Sequence, residues 1–292
     1  MSNTILRNEN VSVTLKSLGG ELTSIKDASG TEYLWQGNPD FWSGQAPVLF
    51  PIVGCLRNGT ATIGDSKTCS FGRHGLARKL EFTLVSSSET CAVYSLKADD
   101  STKEQYPYDF ELQMIYELTN HGVKVSHKVI NHGDIVMPYC IGGHPAFNCP
   151  LKAEEKQSDY QLSFDTDKTL VCSILRENGL LTARKKEFEL TNHKMRIVED
   201  LFDEDALIIE GNQAKRVGLV NPQGETYLEV EFDAPLFGIW SPAKKSAPFV
   251  CIEPWYGRSD KEDFSKKLEE REWGNELKAG EIFEKSYQIR VK

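Results

Sequence analysis

Two histidines and one glutamate stand in segments whose neighbours suggest chemistry rather than packing. His74 lies in Phe71-Gly72-Arg73-His74-Gly75-Leu76-Ala77-Arg78, flanked at short range by glycines and two arginines. Glycine lets the backbone approach a ligand closely and leaves the imidazole uncrowded. Alone, the segment reads as a turn with a solvated histidine before it reads as a site. His144 lies in Tyr139-Cys140-Ile141-Gly142-Gly143-His144-Pro145-Ala146-Phe147-Asn148. Pro145 removes an amide donor and biases His144 towards extended backbone, as at a strand end entering a loop. A core histidine bonded to backbone is the other reading. Glu253 closes the nearly apolar run Phe249-Val250-Cys251-Ile252, ahead of Pro254-Trp255-Tyr256-Gly257-Arg258. A carboxylate at the rim of a core has its pKa raised unless donors or cations compensate. Trp255 beside it offers a face for the apolar side of a ring, or a core aromatic.

Two imidazoles and a carboxyl form the minimal kit for general acid–base catalysis, since reference pKa values of about 6.5 and about 4.3 bracket neutrality. Metal binding is the competing use of the same side chains. His74, His144 and Glu253 show no HExxH-like pair, and His121, His127, His132 and His193 occupy turn or strand positions, so no metal is expected. No GxSxG elbow is present, and Cys140 reads as a small core residue because no helix N-terminus or cation is visible to lower its pKa. GxGxxG and P-loop patterns are also missing, so no nucleotide cofactor is expected.

These side chains need a scaffold, and strand-like alternation recurs along the whole chain. Val11–Leu15 alternates apolar and polar residues before Gly19-Gly20. Phe110–Leu118 and Val123–Ile130 flank Thr119-Asn120-His121-Gly122, a hairpin whose Asn and Gly suit positive φ. Further strands are predicted at Tyr160–Phe164, Arg216–Val220, Tyr227–Phe232 and Ser286–Val291. Lys261–Arg271 is the one helix candidate, short and heavily charged. Many strands, frequent turns and few helices predict an all-β antiparallel sandwich or barrel. No linker or change of composition divides the 292 residues, so a single domain over 1–292 is expected. No repeat of fixed period is found.

With 43 acidic and 34 basic residues the formal charge is −9, which repels phosphate backbones and anionic membrane faces. Nucleic acid and membrane are therefore not expected partners. The seven cysteines, at 55, 69, 91, 140, 149, 172 and 251, are odd in number and show no CxxC spacing, which predicts reduced thiols and a cytoplasmic protein. No basic segment followed by an apolar run marks the Met1–Arg7 stretch as a secretory signal, and no run of about 18 apolar residues occurs.

In order, the segments Ala46–Gly54, His74–Arg78, Gly142–Asn148, Leu236–Pro242, Ile252–Asp260 and the Leu-x-x-Gly-Glu-x-Phe run Leu277–Phe283 resemble the aldose 1-epimerase (galactose mutarotase) superfamily, in particular its LacX-like branch. The resemblance implies a large β-sandwich with a carbohydrate cleft on one face and cofactor-free mutarotation of an aldose. It implies that Glu253 takes the proton of the anomeric hydroxyl while His144 protonates the ring oxygen. The C1–O5 bond then opens, the aldehyde rotates and the ring recloses on its other face. His74 would help polarise the reacting oxygens, and Asp205 would hold sugar hydroxyls. Arg57, Arg78, Trp255 and Phe147 are the further candidates for contacting the sugar. The chain departs from the resemblance at Cys55, where many relatives carry arginine. Arg57, two positions on, would share the same face if the segment were a strand.

Two other functions remain open on these residues. A mutarotase for phosphorylated sugars would need cations, with Arg57, Arg73, Arg78 and Arg258 as candidates. A non-catalytic sugar-binding protein would use Trp35, Trp42, Trp240 and Trp255 as stacking surfaces. The sequence is compatible with a monomer or a homodimer.

Overall fold

The computed structural model describes residues 3–64, 67–265 and 267–292. Two antiparallel sheets dominate it. The nine-stranded sheet runs, in spatial order, Lys194–Arg196, Gln161–Phe164, Arg216–Val220, Thr226–Phe232, Ile282–Val291, Gly122–Asn131, Phe110–Thr119, Cys91–Lys97 and Thr83–Ser87. The second runs Leu181–Phe188, Leu170–Leu175, Leu207–Glu210, Leu236–Trp240, Phe249–Tyr256, Ile141–Gly143 and Val48–Leu49, with Ala146–Asn148 also paired to Phe249–Tyr256. The all-β antiparallel sandwich is thus the observed architecture. The core between the layers is built by alternation: Val250 and Ile252 pack with Val125, Val129, Leu228 and Ile289 from the nine-stranded sheet. Their neighbours Phe249, Cys251, Glu253 and Trp255 occupy the opposite face of their strand, buried away from that core. Among the described residues no helix is long and apolar enough to cross a membrane.

The strands at Val11–Lys16, Arg216–Val220 and Thr226–Phe232 form close to their predicted limits, and the Gln161–Phe164 strand begins one residue later. The hairpin forms as well, with Thr119 paired to Gly122. Its turn, however, is built without positive φ at Asn120, His121 or Gly122. Gly122 is required for a different reason: a Cβ there would lie 1.9 Å from the carbonyl oxygen of Ile289 on the adjoining strand.

The predicted helix Lys261–Arg271 is not formed. Leaving aside Lys266, which lies outside the described residues, the segment is a turn followed by the 3-10 turn Leu268–Glu270. A charged run of that length lacks an apolar face and is too short to hold itself helical. Its charges instead make tertiary ion pairs, Lys261 with Glu272 at 2.6 Å and Arg271 with Asp260 at 2.6 Å.

One irregularity of the second sheet creates a site. The ladder between Ile141–Gly143 and Phe249–Tyr256 pairs Ile141 with Tyr256 and Gly142 with Trp255, and it resumes in the same register at Ala146 with Cys251. That register sets His144 directly opposite Glu253. Pro145, with no N–H, breaks the ladder there, while its carbonyl still accepts from Ile252 N–H at 3.2 Å. Directly opposed residues on one face stand about 4.5–5.5 Å apart at Cβ. On the other flank Glu253 pairs with Gly238, where an added Cβ would meet the Trp255 ring at 2.6 Å. Gly238→Ala is expected to displace that indole and destabilise the protein by about 1–3 kcal/mol, measurable by denaturant titration. A loss near zero would show the ring to be free to move.

Candidate functional site

His144 and Glu253 meet at the floor of a cleft of about 300 Å³. His144 Nε2 lies 3.2 Å from Glu253 Oε2, off hydrogen-bond alignment. Both side chains are almost wholly buried. The imidazole is clamped between tryptophans, stacked on Trp42 at 4.9 Å between centroids and edge-on to Trp240 at 5.7 Å. Burial pushes the Glu253 carboxyl well above the ordinary carboxylate range, reinforced by the nearby charge of Asp205. Burial, with Arg78 and Arg73 nearby, pulls His144 down to about 3.

His74 completes the reacting group from a loop. Its backbone N–H donates to the Gly54 carbonyl at 2.8 Å, and Gly54 N–H donates back to His74 Nδ1 at 3.0 Å. Nδ1 is therefore an acceptor, and the proton of the neutral ring sits on Nε2, which becomes a donor. Burial, helped by His144 and both arginines, holds the His74 pKa well below 6.5. The ring stands perpendicular to that of His144, 5.4 Å away. His74 itself adopts φ +68°, a left-handed conformation that a non-glycine residue keeps only when its surroundings impose it.

The loop at Gly54 is pinned by the end of the Ile252–Asp260 segment. Ser259 Oγ accepts from Cys55 N–H at 2.9 Å, and Asp260 accepts from Arg57 N–H at 2.9 Å and from buried Arg271 at 2.6 Å. Gly54 has φ +71°, and a Cβ there would fall 2.0 Å from Ser259 Oγ. Gly54→Ala is expected to destabilise by about 2 kcal/mol or more and to slow any reaction using His74, since a loop displaced by the methyl carries away the residue-54 N–H that fixes its tautomer. Wild-type stability and rate in that variant would show that the loop accommodates the methyl.

Asp205 and Arg73 close one side. Asp205 also sits at positive φ, +69°; its Oδ1 accepts from Ala206 N–H at 2.9 Å and its Oδ2 from Arg73 Nη2 at 3.2 Å. Arg73 Nε donates to Cys55 Sγ at 3.3 Å. Arg78 reaches the Arg73 carbonyl through Nη2 at 3.1 Å. Trp255, Trp240, Trp42, Leu175 and Ile208 supply the apolar walls. Four buried polar atoms of these lining residues have no hydrogen-bond partner: Arg78 Nε, His144 Nδ1, Glu253 Oε2 and Trp255 Nε1. Leaving such groups unpaired costs about 1–3 kcal/mol each. Past Arg73, Leu175, Asp205 and Trp240 the cleft opens into an outer cavity of about 940 Å³.

Of the residues singled out in the sequence, the fold thus assembles His74, His144, Glu253, Asp205, Arg78 and Trp255 around one cleft. Arg57 and Phe147 are elsewhere. Arg57 starts a 3-10 turn rather than continuing a strand, so it does not share a face with Cys55; its Nη1 donates to the Phe264 carbonyl at 3.0 Å. Arg73 supplies the guanidinium beside Cys55 instead. Phe147 points into the core between the sheets because it alternates with Ala146. Arg258 is buried in an ion-pair network with Glu210, at 2.6 Å, and Glu272, away from the cleft. Trp35 packs on Phe249 and donates to the Trp42 carbonyl at 2.8 Å. Cys140 does have a cation beside it, Arg271 Nη1 at 3.4 Å, which sequence reading missed; burial nevertheless pushes its thiol pKa up. All seven cysteines are unbridged.

Comparison with known proteins gives the same family from three directions. The sequence model of the family described as aldose 1-epimerase matches residues 2–290. The plasmid-encoded protein LacX of Lactococcus lactis subsp. lactis is 38% identical over 98% of both chains. Among solved structures, a galactose mutarotase related enzyme from Lactobacillus acidophilus superposes with a TM-score of 0.94 at 33% identity, covering 100% of this chain and 97% of that one. A galactose mutarotase-like protein from Lactobacillus casei ATCC 334 superposes with a TM-score of 0.93 at 25% identity, covering both chains fully.

Proposed function

Because the chain belongs to the aldose 1-epimerase family, and within it to the LacX-like branch, we propose that it interconverts the α and β anomers of a hexose by acid–base ring opening at His144 and Glu253. The observation that carries this reading is the opposition of the two side chains across an interrupted ladder, 3.2 Å apart on the floor of a cleft lined by tryptophans. Mutarotation requires a proton to leave the anomeric hydroxyl and another to reach the ring oxygen. Both oxygens are bonded to C1, so the acid and the base must be neighbours on the same side of it.

Proton bookkeeping fits the environment. Carboxylate plus imidazolium holds the same number of protons as carboxylic acid plus neutral imidazole. Ring opening converts the first state into the second, as Glu253 gains the anomeric proton and His144 gives one to O5. Reclosure reverses both transfers, and rotation about C1–C2 before reclosure exchanges the anomers. Burial raises the Glu253 pKa and lowers that of His144, which favours the uncharged state present beside the open aldehyde. The uncharged pair is therefore also the resting form, and ring opening starts once the Glu253 proton has passed to His144 across the 3.2 Å gap. His74, protonated on Nε2 because Nδ1 accepts from Gly54, is placed to donate to the oxygen on which charge develops.

The arginines favour a neutral sugar. Of the four candidates for a phosphate pocket, Arg57 and Arg258 lie outside the cleft and Arg73 is already paired with Asp205, which leaves Arg78 as one guanidinium where a phosphate pocket needs several cations. Trp42, Trp240 and Trp255 offer faces for the C–H side of a pyranose. Asp205 and Arg73 are assigned to its hydroxyls. Asp205→Asn keeps a residue that tolerates positive φ while removing the charge, and it is expected to raise KM by about tenfold with little change in kcat. A kcat loss at constant KM would place Asp205 in the chemical step instead.

Magnetisation-transfer NMR between anomers, run over a panel of aldoses and hexose 6-phosphates, tests the function without assuming the substrate. Faster exchange for at least one neutral hexose is expected. Sugar binding without faster exchange for any member would leave a non-catalytic sugar-binding protein.

A further inference from the structure

The geometry points to a metal-binding site at His144, Cys251 and Glu253 for a thiophilic divalent cation such as zinc or cadmium, one that takes up both proposed proton-transfer groups when filled. Cys251 and Glu253 are two apart on one strand and share its outer face, while His144 opposes Glu253 across the broken ladder. One ligand-capable atom from each of the three lies within 4.8 Å of the other two. Zinc bonded to sulfur, nitrogen and oxygen at its usual lengths needs ligand atoms about 3.3–3.8 Å apart. The three side chains therefore come within about an ångström of a zinc-binding arrangement.

Two further features distinguish this cluster from a chance grouping. All three residues are buried, and two of their polar atoms, His144 Nδ1 and Glu253 Oε2, have no hydrogen-bond partner. The donor set also selects the ion. Thiolate and imidazole suit zinc and cadmium, whereas magnesium and calcium prefer all-oxygen shells. Three protein ligands leave a fourth position for a water or a sugar oxygen, the pattern of an open rather than a structural zinc site.

Filling the site requires the Cys251 thiol and the shared Glu253–His144 pair to release their protons to solvent, after which the ion holds all three ligands. The two groups that would move protons in mutarotation are then committed to the metal. Zinc is thus expected to inhibit, and Cys251, which has no part in the proposed proton transfers, decides whether it can. Metal binding is independent of the proposed activity; the inhibition rests on it.

The test titrates the wild-type protein and Cys251→Ala with cadmium, following the ultraviolet thiolate-to-cadmium charge-transfer band, and with zinc, following anomer exchange. The expected result is a wild-type band saturating at one ion per chain and absent from Cys251→Ala. Zinc inhibition should be reversed by a chelator. The variant should keep the wild-type exchange rate without metal and need at least about 100-fold more zinc for the same inhibition, a factor equal to about 2.7 kcal/mol. An identical band in Cys251→Ala, no band in either protein, or equal zinc sensitivity would overturn the site. If the wild type shows the Cys251-dependent band but exchanges no sugar, the proposed function fails and the metal site stands.

Discussion

Replacing Glu253 by glutamine is expected to slow anomer exchange by about 10²–10⁴-fold and, above neutral pH, to raise the melting temperature. The first effect follows from removing the base proposed to accept the anomeric proton while keeping a side chain of the same shape. The second follows from where the carboxyl is held. Its folded-state pKa is raised far above 4.5 by burial, so the folded protein binds this proton more tightly than the unfolded chain does. The stability that this proton confers is complete below pH 4.5 and is lost as pH rises through the folded-state pKa. Glutamine has no proton to lose. The difference in melting temperature between variant and wild type should therefore grow in favour of the variant from about pH 5 upward. Calorimetric scans at several pH values and NMR exchange rates on the same samples decide it. A variant with wild-type exchange, or a difference that does not change with pH, would remove Glu253 from its assigned role.

His144→Gln carries the second large effect, and its pH signature runs the other way. Loss of the acid proposed for O5 should again slow exchange by about 10²–10⁴-fold. Burial depresses the folded-state pKa of His144 to about 3, so its contribution to stability is present above 6.5 and is lost as pH falls towards about 3. Relative to wild type, the melting temperature of His144→Gln should thus improve as pH is lowered, although loss of the stack on Trp42 lowers it overall. The double variant supplies the sharper reading. Groups that pass protons through one substrate act as a unit, and removing both costs little more than removing the more important one. Exchange in the double variant should lie within about tenfold of the slower single variant. Losses that multiply would mean that the two residues act independently, against a shared proton cycle.

These expectations rest on chemistry that the sequence displayed and on geometry that it did not. The apolar run before Glu253 was enough to predict a carboxyl with a raised pKa, because an unbroken apolar run is buried on both faces of its strand. Its depth was underestimated: Glu253 lies in the middle of a paired strand rather than at a rim. The glycines near His74 and the proline after His144 marked both as unusual. Neither showed which ring nitrogen carries the proton, since the Gly54 amide that fixes this comes from a separate loop.

Composition, alternation and turn residues, all local properties, determined by themselves an antiparallel all-β sandwich or barrel and the types of side chain available for acid–base work. They could not supply the opposition of His144 to Glu253, because strand register between segments distant in the chain is set by the packing of whole sheets. The same limit explains Arg57 and Arg73. Spacing favoured Arg57 on the premise of a strand, whereas the chain turns at Arg57 and the guanidinium beside Cys55 comes from the His74 loop. Cys251 is a third case. In sequence it was one apolar residue among several, and only the alternation of its strand beneath the His144 crossing brings its sulfur beside a carboxyl and an imidazole. Residue identity fixed which reactions are affordable; tertiary structure decided which side chains meet, because catalytic contact at 3–5 Å depends on strand register and loop path rather than on neighbours along the chain.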